Sequence, residues 1–243
     1  MVKLAPSFIS KKSIMNILIT GTSKGIGYLL TQYYLQLGHH VFGCSRSASE
    51  NTHEHYSHFC LDVADEKAVV KMFLEIQLQG GVDVLINNAG VASMNHVSTT
   101  PIESARGVFN VNVIGAFLML REASKQMILK RQGRIVNMLS VATPLHLEGE
   151  VIYGASKAAL EHITKTAAKE FAACNITING LGCTPIKTDL IKSVPDEKMK
   201  RLLGLQSIQR YAEITDITNV IDFFIKEESN FITGQIIYLG GIV

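Results

Sequence analysis

A short apolar run that breaks into a cluster of glycines constrains this chain more than any other stretch. Ile14, Met15, Ile17, Leu18 and Ile19, interrupted only by Asn16, do not alternate with polar residues, so they read as a parallel strand buried on both faces. The run ends at Thr20 and Gly21, and glycine recurs at 25 and 27. Ile26 to Leu37 is helical in pattern, and Gly38 closes it as a C-cap. Strand, glycine turn and helix in this order form a phosphate-binding arrangement. The glycines permit a tight turn and close backbone approach, and the helix N-terminus offers free N–H groups and the positive end of its dipole to a pyrophosphate. The turn runs Gly21, Ser23, Lys24, Gly25, Ile26, Gly27, a Gly-x-x-x-Gly-x-Gly spacing rather than Gly-x-Gly-x-x-Gly.

The same alternation continues along the chain. His40 to Cys44 reads as a second strand, followed by Ser45, Arg46 and Ser47. At this place an acid would bind a ribose 2′-hydroxyl and a base a 2′-phosphate; Arg46, with Lys24 in the turn, favours NADP(H) over NAD(H). His53, His55 and His58 have no Cys or carboxylate partner set nearby and read as a polar surface loop, with no metal expected. Tyr56 to Leu61 is a third strand ending at Asp62, a residue suited either to meet an adenine or to cap a turn, with Val63 beside it. Asp65 to Leu78 is amphipathic and helical, stopped by Gly80 and Gly81. Val82 to Ile86 is another buried strand, running into Asn87, Asn88, Ala89 and Gly90.

Thr100, Pro101 and Glu103 predict an N-cap, an N1 proline and a capping-box acid for a long helix reaching about Arg131. Its middle, Val108 to Leu120, is apolar nearly all round, apart from Asn112, which predicts burial against the sheet and a second subunit. Arg134 to Leu139 is a fifth strand ending at Ser140, and Tyr153 opens the helix that follows it. Ile176 to Leu181 is a sixth strand, a proline-marked insertion over about 185–210 suits a substrate lid, Thr215 to Ile225 is a last helix and Ile232 to Leu239 a last strand. Strands alternating with helices predict a single α/β domain over 14–243, behind an N-terminal tail of residues 1–13. The expected architecture is a Rossmann-like, doubly wound parallel sheet of about seven strands with helices on both faces. Ligands then collect at the carboxyl ends of the strands.

Within that frame, Tyr153 and Lys157 stand one helical turn apart on one face. A tyrosine titrates near ~10, and acid/base work at neutrality asks for a shift of ~3 units, roughly 4 kcal/mol. A cation about 4 Å away at an effective dielectric of ~20 supplies about that much. Composition closes other routes: 243 residues with 47% hydrophobic content build a sizeable core, and a net charge of +2 gives no mandate for nucleic acid or anionic membrane. There is no apolar run of spanning length and no secretory pattern, and the scattered cysteines Cys44, Cys60, Cys174 and Cys183 read as reduced thiols in a cytoplasmic protein.

Jointly, these residues resemble the short-chain dehydrogenase/reductases. Thr20, Gly21, Gly25, Ile26 and Gly27 look like the family's cofactor turn, Asn87 to Gly90 its Asn-Asn-Ala-Gly motif, Asn112 and Gly115 its catalytic asparagine segment, Gly133 to Ser140 the strand delivering its serine, and Tyr153 with Lys157 its Tyr-x-x-x-Lys signature. The likeness spans the chain from Ile14 onward and looks most like the 3-oxoacyl-carrier-protein reductases. It implies hydride transfer between nicotinamide and a carbonyl or alcohol, possible substrates including an acyl thioester. Tyr153 is then the general acid, Lys157 lowers its pKa and bonds the nicotinamide ribose, Ser140 bonds the substrate oxygen, and Asn112 supports a proton relay. Ile186 and Thr188 match residues that meet the carboxamide and phosphates. A homodimer or homotetramer is implied as well. Two departures stand out: Cys183 and Thr184 replace the family's Pro-Gly, and Leu239 replaces the aspartate of its terminal Asp-Gly-Gly. Lys130, Arg131 and Arg134 suggest either a carrier-protein dock or a solvated helix end. The alternative from another class is a non-catalytic NADP(H) sensor of the same fold; a nucleotide-sugar epimerase expects a larger substrate domain.

Overall fold

The computed structural model describes residues 14–188, 191 and 194–242. The expected N-terminal tail lies outside the described residues, as do residues 189, 190, 192 and 193 of the expected lid. The elements in chain order are β1 (Asn16–Thr20), α1 (Gly25–Gln36), β2 (His40–Ser45), β3 (Tyr56–Cys60), α2 (Glu66–Gln77), β4 (Val84–Asn87), α3 (Ile102–Phe109), α4 (Ala116–Lys130), β5 (Gly133–Ser140), α5 (Ala142–Leu145), α6 (Val151–Phe171), β6 (Ile176–Cys183), α7 (Asp196–Gly204), α8 (Ile214–Ile225) and β7 (Ile236–Tyr238). The seven strands form one sheet in the order β3-β2-β1-β4-β5-β6-β7, with every pair parallel. Strand order reverses between β1 and β4, so a crevice opens at their carboxyl ends.

The apolar run of β1 explains itself in three dimensions. Leu18 packs into one core with Met72, Phe73, Met119 and Ile178, beneath α2 and α4, whereas Ile17 and Ile19 join Leu30, Tyr34, Ile217 and Phe224 beneath α1 and α8. A strand with a helix layer on each side needs apolar residues at successive positions, each fully buried one contributing about 1.5–3 kcal/mol. Asp65 caps α2 by accepting from the backbone N–H groups of Lys67 and Ala68, at 3.0 and 3.2 Å.

Several boundaries differ from expectation for local reasons. The Thr100 hydroxyl donates to the His96 carbonyl at 2.8 Å, and α3 begins after Pro101, so no capping box forms there; Glu103 pairs with Arg106 instead. The expected single helix to Arg131 is broken by a π-type turn over Asn110–Gly115, between α3 and α4. The helix carrying Tyr153 starts two residues earlier, at Val151. β7 is shorter than the Ile232–Leu239 pattern because Gly234 turns the chain at φ +70° and donates its N–H to the Ile178 carbonyl before pairing begins. His58 lies inside β3, bonded on both ring nitrogens, and is not part of a surface loop.

Candidate active site

The glycine turn is shaped by its neighbours as much as by its own residues. The Cys44 carbonyl at the end of β2 accepts from Gly21 N at 2.7 Å, and Gly21 takes φ +75°. A Cβ on Gly27 would stand 2.2 Å from the Gly21 carbonyl, so this glycine seats the first turn of α1 against the loop. Lys24 precedes α1 with no side-chain cap, leaving the helix N-terminus open to an anion. Thr20 ties the neighbouring strand in: its hydroxyl accepts from Asn88 N at 3.0 Å and Ala89 N at 2.8 Å, and Asn88 Nδ2 donates to its carbonyl at 2.8 Å.

Together these loops wall a cavity of about 480 Å³. Of the residues expected to bind cofactor, Gly21, Ser23, Lys24, Gly25, Ile26, Arg46, Asp62, Val63, Asn88, Ala89, Gly90 and Thr188 all line it. Gly27 does not; it lies beneath the turn. Asp62 caps a turn, Oδ1 accepting from Ala64 N at 2.9 Å, and lines the cavity as well. A Cβ on Gly115 would stand 2.6 Å from Val63 Cγ2, so that glycine lets the π-type turn close under the cavity floor.

A second cavity of about 250 Å³ shares Ile26, Asn88, Gly90, Val91 and Thr188 with the first, and contains Ser140, Tyr153, Lys157 and Ile186. β5 brings Ser140 to the sheet's carboxyl edge, and α6 returns Tyr153 and Lys157 over it. The Ser140 hydroxyl accepts from Ala142 N at 3.1 Å and shares the cavity with the Tyr153 phenol, whose pKa it lowers. Lys157 is buried, donates to the Met138 carbonyl at 2.8 Å, and holds Nζ 5.9 Å from the Tyr153 ring centre. Asn112 sits in the π-type turn, where Oδ1 accepts from Val91 N at 2.8 Å and Nδ2 donates to the Val91 carbonyl and to Ser156 Oγ. A Cβ on Gly90 would lie 3.3 Å from Asn112 Oδ1 and 3.5 Å from Lys157 Nζ, so this glycine keeps the space beside both open.

The electrostatics correct one expectation. Tyr153 is pushed up to about 12, first by burial, against a lowering by the Ser140 hydroxyl, with Glu150 adding to the rise. Lys157 is pulled down to about 8 by burial. A cation beside a phenol in water would favour the phenolate; here burial is the leading influence on both groups, raising the phenol and lowering the ammonium. Cys183 aligns with Ser140 across β5 and β6, and burial pushes its thiol up to about 12, so the cysteine standing where the family has proline is a neutral neighbour of the lysine.

Other groups were not legible from sequence. Glu150 lies one turn before Tyr153 in the same cavity, and burial raises its pKa, with Lys198 opposing. Asn137 links the Asn87 side chain at 2.9 Å to Thr164 at 2.8 Å, a buried polar chain joining β4, β5 and α6. Lys130 and Arg134, by contrast, border a separate cavity of about 700 Å³ with Ile14 and Asp83, at the amino ends of the strands. Lys130 is paired to Asp83 at 2.6 Å and Arg134 is buried, so this cluster lies on the edge of the sheet opposite Ser140.

The model of the short chain dehydrogenase family matches residues 15–199. The 3-oxoacyl-[acyl-carrier-protein] reductase FabG of Staphylococcus aureus is 31% identical over 241 residues, covering 95% of this chain and 98% of that protein. The reductase of the same name from Vibrio cholerae is 28% identical over 231 residues, covering 92% and 95%. Among solved structures, ElxO with NADP bound superposes with a TM-score of 0.85 at 30% identity, covering 93% of this chain and 97% of that one. The 4-hydroxyisoleucine dehydrogenase complexed with NADH gives 0.84 at 27% identity, covering 94% and 98%. With its strand order, glycine turn and Ser140, Tyr153 and Lys157 gathered at one sheet edge, the chain belongs to the short chain dehydrogenase family and is an oxidoreductase acting on alcohol and carbonyl groups.

Proposed function

We propose that the chain is an NADPH-dependent carbonyl reductase whose substrate is a 3-oxoacyl thioester, with Ser140, Tyr153 and Lys157 catalytic and Asn112 supporting them. The observation that carries this reading is the shared wall between the two cavities, which sets Tyr153 and Ser140 beside the space reached from the glycine turn. Bound nicotinamide supplies the hydride. Tyr153, a neutral phenol at pH 7, gives its proton to the substrate oxygen, and Ser140 donates a hydrogen bond to the same oxygen as negative charge grows there. Lys157 is placed to meet a ribose hydroxyl once its proton is engaged, and Asn112, with Oδ1 accepting one bond from Val91, keeps acceptor capacity toward a relay water.

Preference for the 2′-phosphorylated cofactor is supported by charge. Arg46 and Lys24 are exposed on the cavity rim without a carboxylate partner among the described residues. The bound cofactors of ElxO and 4-hydroxyisoleucine dehydrogenase differ on the same fold, so the choice rests on local residues. Arg46→Ala is expected to raise KM for NADPH about 10- to 100-fold, the loss of a charge-assisted hydrogen bond of about 1.5–3 kcal/mol, with KM for NADH little changed. Equal effects on both cofactors would refute the assignment.

The thioester reading is supported by the walls Met94, Leu147, Val194, Met199 and Leu202, apolar enough for an acyl chain. Met199 and Leu202 come from α7, which we propose acts with the rest of 185–210 as a lid. NADPH oxidation against a panel of ketones, including an acetoacetyl thioester, tests the substrate class; turnover of small ketones with none of the thioester would exclude it. A dimer or tetramer is supported by Phe109, Ile114 and Phe117, exposed across α3 and α4, and monomeric elution at micromolar concentration would count against it. No described helix is long and apolar enough to cross a membrane, and four unpaired thiols suit a reducing, cytoplasmic setting.

A further inference from the structure

The turn that carries Arg46 is held from below by a set of polar side chains on β3. His58 Nε2 lies 2.9 Å from the Ser47 carbonyl and 3.2 Å from Ser45 Oγ, and Ser45 Oγ donates to the same carbonyl at 2.8 Å. His58 Nδ1 lies 2.8 Å from the Tyr56 hydroxyl, which is 3.1 Å from Thr22 Oγ1 in the glycine turn. One proton arrangement satisfies the chain. Nε2–H donates to Ser47 and Nδ1 faces the Tyr56 hydroxyl, which in turn reaches Thr22 Oγ1 as acceptor. Two residues further along β3, the Cys60 thiol donates to the Arg46 carbonyl at 3.1 Å.

The backbone is built to admit this chain. A Cβ on Gly43 of β2 would stand 2.2 Å from the Tyr56 hydroxyl and 2.7 Å from Thr22 Oγ1, so only a glycine lets the phenol pass under β2 to the glycine turn. Gly43 is also the residue aligned with His58 between β2 and β3. The glycine turn and the Arg46 turn, which form two walls of the 480 Å³ cavity, are therefore linked by Thr22, Tyr56 and His58.

We propose that His58 is a positioning residue for NADPH. By holding the Ser47 carbonyl it fixes the Ser45–Arg46–Ser47 turn, so that the Arg46 guanidinium is presented to a 2′-phosphate already oriented. Arginine has many rotamers on an exposed loop, and a loop fixed before binding loses less entropy on meeting its ligand. The histidine itself touches no part of the cofactor; it acts through Ser47 and Arg46. This rests on the NADPH reading above.

The test is direct binding of NADPH, NADH and adenosine 2′,5′-bisphosphate to the full chain, by calorimetry, for the wild type, Arg46→Ala, His58→Leu and His58→Gln. His58→Leu is expected to weaken NADPH and the bisphosphate about 10-fold while NADH changes less than about 2-fold, with kcat at saturating NADPH within about 2-fold of wild type. Gln keeps an N–H for the Ser47 carbonyl, so His58→Gln is expected to recover most of the lost affinity. A merely structural role would weaken NADH and NADPH alike or lower the melting temperature without touching their ratio, and either result overturns the proposal. Should His58→Leu fail to fold, Tyr56→Phe, which removes the hydroxyl that orients the ring at Nδ1 and so loosens the hold of Nε2 on the Ser47 carbonyl, is expected to lower the NADPH-to-NADH affinity ratio by about 3-fold; an unchanged ratio there overturns it too. If the wild type shows no preference, or Arg46→Ala leaves it intact, the NADPH reading fails and this proposal falls with it. If Arg46→Ala removes the preference and His58→Leu does not, the His58 proposal alone is refuted.

Discussion

Replacing Tyr153 by Phe is expected to lower kcat for carbonyl reduction by at least about 10³-fold, within the range for loss of a positioned general acid, while the dissociation constant for NADPH stays within a few-fold. The phenol lines the 250 Å³ cavity together with Ser140, and Phe retains the ring that fills the space. The pH profile should carry the same signature. With Tyr153 pushed up to about 12 by burial, the proton needed for reduction is present throughout the neutral range. Alcohol oxidation needs the phenolate, so in that direction kcat is expected to climb with pH toward alkaline values. Reduction that survives in Tyr153→Phe would move the proton donor elsewhere.

Lys157→Met is expected to separate activity from stability. Turnover should fall about 100-fold or more, because the cation proposed to hold the cofactor ribose and the relay is lost. The folded protein, however, carries a cost for the buried ammonium. A lysine in the unfolded chain releases its proton near 10.5 and the buried one near 8, so between those values the unfolded state holds a proton the folded state has shed. Wild-type stability therefore rises with pH across that window, by up to roughly 3 kcal/mol, and the cost is fully felt below about pH 8. Met removes the cost and also the bond to the Met138 carbonyl, an acceptor whose loss of partner takes back about 1–3 kcal/mol. Urea unfolding of both proteins from pH 7 to 10.5 should show a stability gap that shifts in favour of wild type as pH rises. Parallel curves would mean that the lysine is already well accommodated as a cation.

The fold was readable because its signals are local. Continuous apolar strands such as Ile17–Ile19 and Leu85–Ile86, glycines at the carboxyl end of β1, and the helical patterns between them specify a parallel sheet with two helix layers, and the ligand edge follows from that topology. Boundaries were less readable where a tertiary bond competes with a local preference. Thr100 has the residue type of an N-cap but is drawn to His96, and the last strand shortens because Gly234 is drawn to Ile178. In the sequence His58 groups with His53 and His55 as surface loop because no Cys or carboxylate partner set stands near them, and nothing local records that Ser47 lies within bonding distance 11 residues away.

By itself the sequence determined the alternating α/β order, the glycine turn, and the placing of Tyr153 and Lys157 one helical turn apart, since each of these rests on residue type and short-range spacing. Only the tertiary structure decided how those groups are charged and held. Tyr153 and Lys157 share a turn of helix in any medium, yet whether proximity lowers the tyrosine's pKa or burial raises it depends on the water excluded by β5, β6 and the loop after β4. Desolvation is a property of the assembled surroundings, and the residues that wall the cavity, from the loop after β4, from β5 and from β6, come from separate parts of the chain.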